Sequence, residues 1–243
     1  MNVLFDLDKI RYGSERASFV RAVDLYNKGK VTQVEDRLGG ITAVVLGTEP
    51  YNVSISIRNF KQGGCTCYLG QKGTICKHMI ALAIYAVMDG KPLDPKKHEL
   101  STEVKCSGRL GQSNDMELIE INMLISAAMK YIKAYNGPSK TWFRNQDSLR
   151  EGCARLTEIV NRMPVNRQTS DILVKLLLRL DKKLSTGGVD DSNGIVGGFM
   201  KEVTDILVKF AKLDKECILS FKKIVGIETG FGWEEPLIKL FEK

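Results

Sequence analysis

The chain is short of histidine, with only His78 and His98 in 243 residues. That scarcity narrows the chemistry available, because proton transfer and nucleophile activation near neutral pH rely on imidazole more than on any other side chain. No glycine-rich loop ending in Lys-Ser or Lys-Thr is present to cradle phosphates. No pair of histidines at helical spacing is present to hold an open, catalytic zinc. Long apolar runs are lacking too. The longest, residues 79–88, is half of the roughly 20 residues that a membrane-crossing helix needs. The first eight residues carry two aspartates and too short an apolar run for a secretory leader. The six cysteines are not arranged as a disulfide framework, and the expectation is a reducing, cytoplasmic protein.

What the sequence does contain is two tight pairs of soft donors, Cys65-Thr66-Cys67 and Cys76-Lys77-His78. Three thiolates and one imidazole fill the tetrahedral shell of a zinc ion and leave no position for water or substrate, which is the signature of a structural site. The spacing also restricts the backbone. Residues two apart diverge on a helix but share a side in an extended or turning segment, so Cys65 and Cys67 belong to a strand end or knuckle. Glycines at 63, 64, 70 and 73 permit a sharp turn around a metal. Residues 79–88 are rich in helix formers and stop at Asp89-Gly90-Lys91-Pro92, so Cys76 and His78 are expected where the loop enters a helix. A helix N-terminus favours the deprotonated form of a thiol placed there.

These four positions resemble the SWIM zinc finger, whose pattern is C-x-C, a variable spacer and C-x-H. The flanking residues add to the likeness: Tyr26-Asn27-Lys28-Gly29-Lys30-Val31, Ala43-Val44-Val45-Leu46-Gly47 and Tyr51-Asn52-Val53, over about residues 14–90. The resemblance implies one structural Zn2+ on Cys65, Cys67, Cys76 and His78. It also implies a module of the kind found beside chromatin-remodelling helicases, transposase-like proteins and recombination accessory factors, where it contacts DNA or protein and is not an enzyme.

The net charge of +7 is unevenly placed. Residues 58–97 hold seven basic and two acidic side chains, an excess of five. Residues 113–243 hold 20 basic and 18 acidic, an excess of two. Lys61, Lys72 and Lys77 flank the metal ligands and are the candidates for phosphate contact. Binding through so few cations would be weak, non-specific and salt-sensitive. A solvated face on a basic protein accounts for the same charges equally well.

The organisation expected is an α+β zinc module (a small antiparallel sheet plus helix) over residues 1–90, a linker over 91–112, and an all-α helical-hairpin domain over 113–243. In the first part, Phe19, Val23 and Tyr26 mark one face of a helix ending at Gly29. Strands are expected over 31–37 and 41–46 around Gly39-Gly40, and over 51–58, where apolar and polar residues alternate. A core this thin would lean on the metal for about 10 kcal/mol of apparent folding free energy. In the linker, His98 and Cys106 lie eight apart without partners and read as ordinary linker residues, not a second metal site.

In the third part, Asn114 with Glu117 marks the start of a helix running from 116 to 135, apolar on most sides and therefore buried. Ser148 with Glu151 marks the start of a second, which Pro164 ends, and further helices are expected over 169–184, 195–213, 214–225 and 234–243. The segment Asp171-Ile172-Leu173-Val174-Lys175 recurs at Asp205-Ile206-Leu207-Val208-Lys209, 34 residues on. That offset matches the period of tetratricopeptide helix pairs, and chance similarity of amphipathic helices explains it as well.

Other candidates carry less. Asp190-Asp191-Ser192-Asn193-Gly194 offers hard oxygen donors, but its spacing does not fit a calcium loop, and a helix-capping turn is favoured. Cys153 sits on an apolar helical face as a structural thiol. Trp142 and Phe143 read as core anchors in preference to base-stacking platforms. The expected function is thus a non-catalytic zinc protein whose SWIM-type module contacts DNA or a partner and whose helical domain docks a partner protein, such as an ATPase or recombination factor. The alternatives are a protein-protein adaptor that never touches nucleic acid and, further off, a hydrolase built on the acidic loop.

Overall fold

The computed structural model describes residues 2–94, 101 and 103–242, apart from the side chain of Lys140. The chain forms two compact units, Met1–Leu100 and Ser101–Lys243. His98 lies outside the described residues.

The first unit is built on a four-stranded antiparallel sheet of β1 (Val31–Arg37), β2 (Gly40–Leu46), β3 (Pro50–Ser56) and β4 (Gly63–Cys65), in sequence order. Along β2, Ile41, Ala43 and Val45 are buried while Thr42 and Val44 face the other way, as the period-two pattern requires. In register with them, Ile55 and Val53 of β3 point to the same side, and Val53 pairs with Cys65 of β4. The sheet therefore delivers the first zinc ligand from the edge of its buried face. Strand β1 slips against β2 between Thr32 and Glu35, where Gln33 takes a positive φ of 50° in a bulge.

Helix α1 spans Leu7–Tyr12, α2 Arg16–Asn27, the short α3 Tyr68–Gln71 and α4 Lys77–Met88. From His78 to Ile84 every residue of α4 is buried, because the helix lies against the sheet and also against α2 and α1. A helix apolar on all sides needs such double cover. Phe19, Val23 and Tyr26 of α2 are buried as expected, whereas α1, capped by Asp6, was not anticipated. The chain leaving α4 turns at Asp89, left-handed at φ 47°, and is then pinned to α2. The Tyr26 hydroxyl donates to the Lys91 carbonyl (2.8 Å). The Asn27 amide donates to the Leu93 carbonyl (2.6 Å) and accepts from the Leu93 N–H (3.1 Å).

The second unit is helical: α5 (Asp115–Ala128), α6 (Trp142–Arg162), α7 (Arg167–Ser185), α8 (Ile195–Leu213), a 3₁₀ helix over Lys215–Ile224 and α9 (Glu235–Phe241). Its core runs through Leu149, Leu156, Leu173, Leu177, Leu207, Phe210 and Phe221. Residues 104–111 are tied to it, through Val104 N–H to Glu202, Lys105 N–H to Asn161, and the Asn166 amide to the Gly111 carbonyl. Cys106 packs partly buried against this core.

The helical expectations need five corrections. Helix α5 carries the expected capping box between Asn114 and Glu117, yet it ends at Ala128 and not at 135. Beyond it the N–H groups of Lys130, Tyr131 and Ile132 bond three residues back in a tightening turn that drops Met129 and Ile132 into the core. Within α5 only Ile125 and Ala128 are fully buried, while Met116 and Met123 are 80% and 67% exposed. The Ser148–Glu151 start is also absent. Helix α6 begins six residues earlier, Ser148 bonds the Tyr131 carbonyl, and the buried Glu151 pairs with Arg155 at 3.1 Å. Residues 215–224 form a 3₁₀ helix, held to α7 by Ser170 to the Cys217 carbonyl and Ser220 to the Arg167 carbonyl. Finally, the 34-residue offset spans one helix and its loop, from early in α7 to the middle of α8, so it does not mark a repeated helix pair.

Candidate metal centre

Each ligand is placed by a different backbone device. Cys65 ends β4, and Cys67 caps the N-terminus of α3, its sulfur accepting from the Gly70 N–H at 3.4 Å. The Cys67 N–H points at the Cys65 sulfur (3.5 Å), so the turn folds around the first thiol. Gly70 comes so close to Cys65 that a Cβ there would lie 2.2 Å from the Cys65 carbonyl oxygen, which makes glycine obligatory. The knuckle is clamped to β3 through Thr66, whose N–H donates to the Asn52 carbonyl and whose hydroxyl accepts from the Asn52 N–H. Cys76 is the N-cap residue of α4 but makes no side-chain capping bond, which leaves its sulfur for another use. His78 follows in the first turn.

All four are buried, and their donor atoms lie within 4.8 Å of one another. His78 Nδ1 is 3.6 Å from Cys65 Sγ and 3.9 Å from Cys76 Sγ. Zinc–sulfur bonds of about 2.3 Å and a zinc–nitrogen bond of about 2.0 Å at tetrahedral angles put sulfur and nitrogen about 3.5 Å apart. The His78 distances to Cys65 and Cys76 are thus close to those of a shared zinc, and all four donors lie near enough to close on one ion. Burial pushes the Cys65 and Cys76 thiols up. At Cys67 burial also acts upward, but N–H donors led by Gly70 outweigh it and bring the thiol below its ordinary value, so this sulfur ionises first. Burial, aided by the Lys77 charge, holds His78 down to about 4 and hence neutral at pH 7. A neutral imidazole is ready to bind metal, whereas the two buried thiols need the cation's charge to lose their protons.

Residues 51–86 match the SWIM zinc finger family. The matched span opens on Tyr51 of β3, takes in β4, the knuckle and α3, and closes in α4. It contains all four ligands, and this Cys3His set fits one structural zinc. Neither curated proteins nor solved structures give a match to the chain.

The lysines flanking the SWIM ligands are placed unequally. Lys72 is exposed and sits over the Tyr68 ring, 4.2 Å from its centroid. Lys77 is half-buried in the first turn of α4. Lys61 is half-buried too, its stem beside Gly13 and Phe60. The acidic loop is taken up with structure: both Asp191 carboxylate oxygens accept N–H groups of Val196 and Gly197 at the start of α8, and Asp190 accepts from the Trp142 indole (3.0 Å) and from Ser192. Trp142 is thus anchored, but Phe143 is 73% exposed and anchors nothing. Cys153 is buried and its thiol pushed up by that burial, as a structural thiol should be. Sequence reasoning missed the Asn52–Thr66 clamp, the close approach of Gly70, and the stacking of Tyr51 on His78 with ring centroids 4.3 Å apart. Tyr51 and the glycine were visible as residues. Their roles depend on strand register, which the sequence does not print.

Proposed function

We propose that this protein is a non-catalytic zinc-binding interaction factor, in which the SWIM module presents a basic knuckle to nucleic acid and the helical unit engages a protein partner. The observation that carries this reading is the buried Cys3His cluster: a zinc with four protein donors has no open position and acts by shaping the surface around it. At the tip of that surface Tyr68 is 70% exposed, Leu69 is exposed beside it, and Lys72 lies over the tyrosine ring. An aromatic face next to a cation suits a strand of nucleic acid, which offers bases to stack and phosphates to neutralise. The groove on the open face of the sheet suits it less, since Glu35 pairs with Arg37 there and Gln33, Thr42, Asn52 and Ser54 supply neutral polar groups. The use of Asp190 and Asp191 as helix-capping and indole-binding groups favours a non-enzymatic role for the acidic loop.

A gel shift on single- and double-stranded DNA across a salt series tests the proposal. Changing Lys72 to Glu should weaken binding more than changing half-buried Lys61 or Lys77, and log affinity should fall with log salt by a slope of about −0.7 per phosphate contact on single strands. The adaptor reading is favoured instead if no shift occurs at low salt while the full chain retains a protein partner on affinity capture.

A further inference from the structure

Metal-bound histidines are generally oriented by a hydrogen bond from the ring nitrogen that does not touch the metal, given to a carboxylate, carbonyl or water. His78 departs from this. Its Nδ1 faces the sulfurs of Cys65 and Cys76, while Nε2 is buried with no protein hydrogen-bond partner among the described residues. The described residues hold the ring in another way.

We infer that Tyr51 and Gly47 are positioning residues for the zinc, holding the His78 imidazole by stacking and steric fit so that Nδ1 is the donor. This rests on the Cys3His zinc reading above. The Tyr51 ring lies against the imidazole at 4.3 Å between centroids and 25° between planes. Its far end is fixed in turn, because the Tyr51 hydroxyl shares a 2.8 Å hydrogen bond with that of Thr48. The strand that carries Tyr51 also carries Asn52, which clamps the knuckle at Thr66, and Val53, which pairs with Cys65. One strand therefore sets the position of the first thiolate and the plane of the imidazole together.

Gly47, just past the end of β2, lies close against both rings. A Cβ at Gly47 would stand 2.9 Å from His78 Nε2 and 2.9 Å from Tyr51 Cε2, nearer than side chains pack. Its φ is not in the left-handed region, so the demand for glycine here is for space and not for backbone freedom. A flip about Cβ–Cγ would replace Nδ1 by Cδ2 at the sulfurs, and ligation through Nε2 would require the whole side chain to draw back, so either change would break the tie between ring plane and strand register.

The test uses the full-length protein loaded with Zn2+, and with Co2+ as a spectroscopic substitute. Long-range 1H–15N correlation of the histidine rings in the zinc-loaded wild type should show His78 bound through Nδ1 with the proton on Nε2. Zinc competition against a chromophoric chelator should place Tyr51→Phe within about twofold of wild type, because the ring face is kept. Tyr51→Leu, which keeps bulk but not the aromatic face, and Gly47→Ala should each lose about 10- to 100-fold in affinity, the range typical of residues that orient a ligand. Both should also shift the Co2+ ligand-field bands, a change that general loosening of the fold would not produce while metal remains bound. Binding through Nε2 in the wild type overturns the inference even if a variant fails to fold. Affinities for Tyr51→Leu and Gly47→Ala within twofold of wild type, with unshifted bands, overturn it as well. Elemental analysis showing no zinc would instead defeat the underlying metal reading.

Discussion

Cys76 holds the N-cap position of α4 without a side-chain capping bond and faces the donor cluster, so its sulfur is left for the metal. Serine is a favoured residue at an N-cap, so changing Cys76 to serine suits the helix start but removes a soft ligand. Cys76→Ser should therefore drop bound zinc from one equivalent to near zero by elemental analysis and cost the first unit most of the roughly 10 kcal/mol that such a metal contributes. Acid should act in the same direction. In the metal-free protein His78 stays neutral down to about 4, whereas the unfolded chain protonates it near 6.5. The unfolded state thus takes up more protons across that window, and folded stability is lost as pH falls from about 6.5 toward 4. Protonation of the thiolates adds zinc release. Following bound metal and circular dichroism together through an acid titration should show both falling, with recovery on return to pH 7 in added zinc. At this scale the four ligands were fully legible in the sequence, because soft donors at C-x-C and C-x-H spacing have few other uses. Tyr51 was legible only as a neighbour, since stacking depends on where β3 lies relative to α4.

Among the elements, those with a strong local signal were read correctly: β2 from the turn at Gly39-Gly40, β3 from alternation, α4 from its apolar run and its stop at Asp89-Gly90. The failures came where tertiary contacts outweigh local cues. Ser148 and Glu151 look like a capping box, but Ser148 reaches the Tyr131 carbonyl and Glu151 pairs with Arg155 inside a helix already under way. Helix α5 reads as buried from composition, yet it offers Met116 and Met123 to solvent. Peptide mapping after mild peroxide treatment should find these two methionines oxidised well before the buried Met79, Met129, Met163 and Met200. Asp191 closes the first turn of α8 with both carboxylate oxygens. Asp191→Ala should lower the stability of the helical unit by about 1–2 kcal/mol, measured by urea denaturation, the ordinary loss for an N-terminal cap.

For the molecule as a whole, each unit has its own closed core, one built around α4 and the sheet, the other around α6, α7 and α8. Only the first contains a metal site among the described residues. A strong chelator should therefore abolish one calorimetric transition and leave the other, with the helical signal of residues 104–242 retained. A single transition that chelation shifts as a whole would mean that the two cores melt as one. Among the described residues no helix is long and apolar enough to cross a membrane. The α+β then all-α division was visible in the sequence as a change of hydrophobic period near residue 113. The docking of residues 104–111 on the helical unit was not, because it is made by backbone groups of an irregular segment bonding to Glu202, Asn161 and Asn166.

The two-way amide bond between Asn27 and Leu93 has a mechanical consequence. Tension on the chain beyond Leu93 meets α2 first, through two parallel hydrogen bonds and the Tyr26 hydroxyl at Lys91, before it can unwind the last turn of α4. The coordination shell sits at the opposite, N-terminal end of that helix, behind this fastening. A tethered partner tugging from downstream would strain the latch and leave the ion undisturbed.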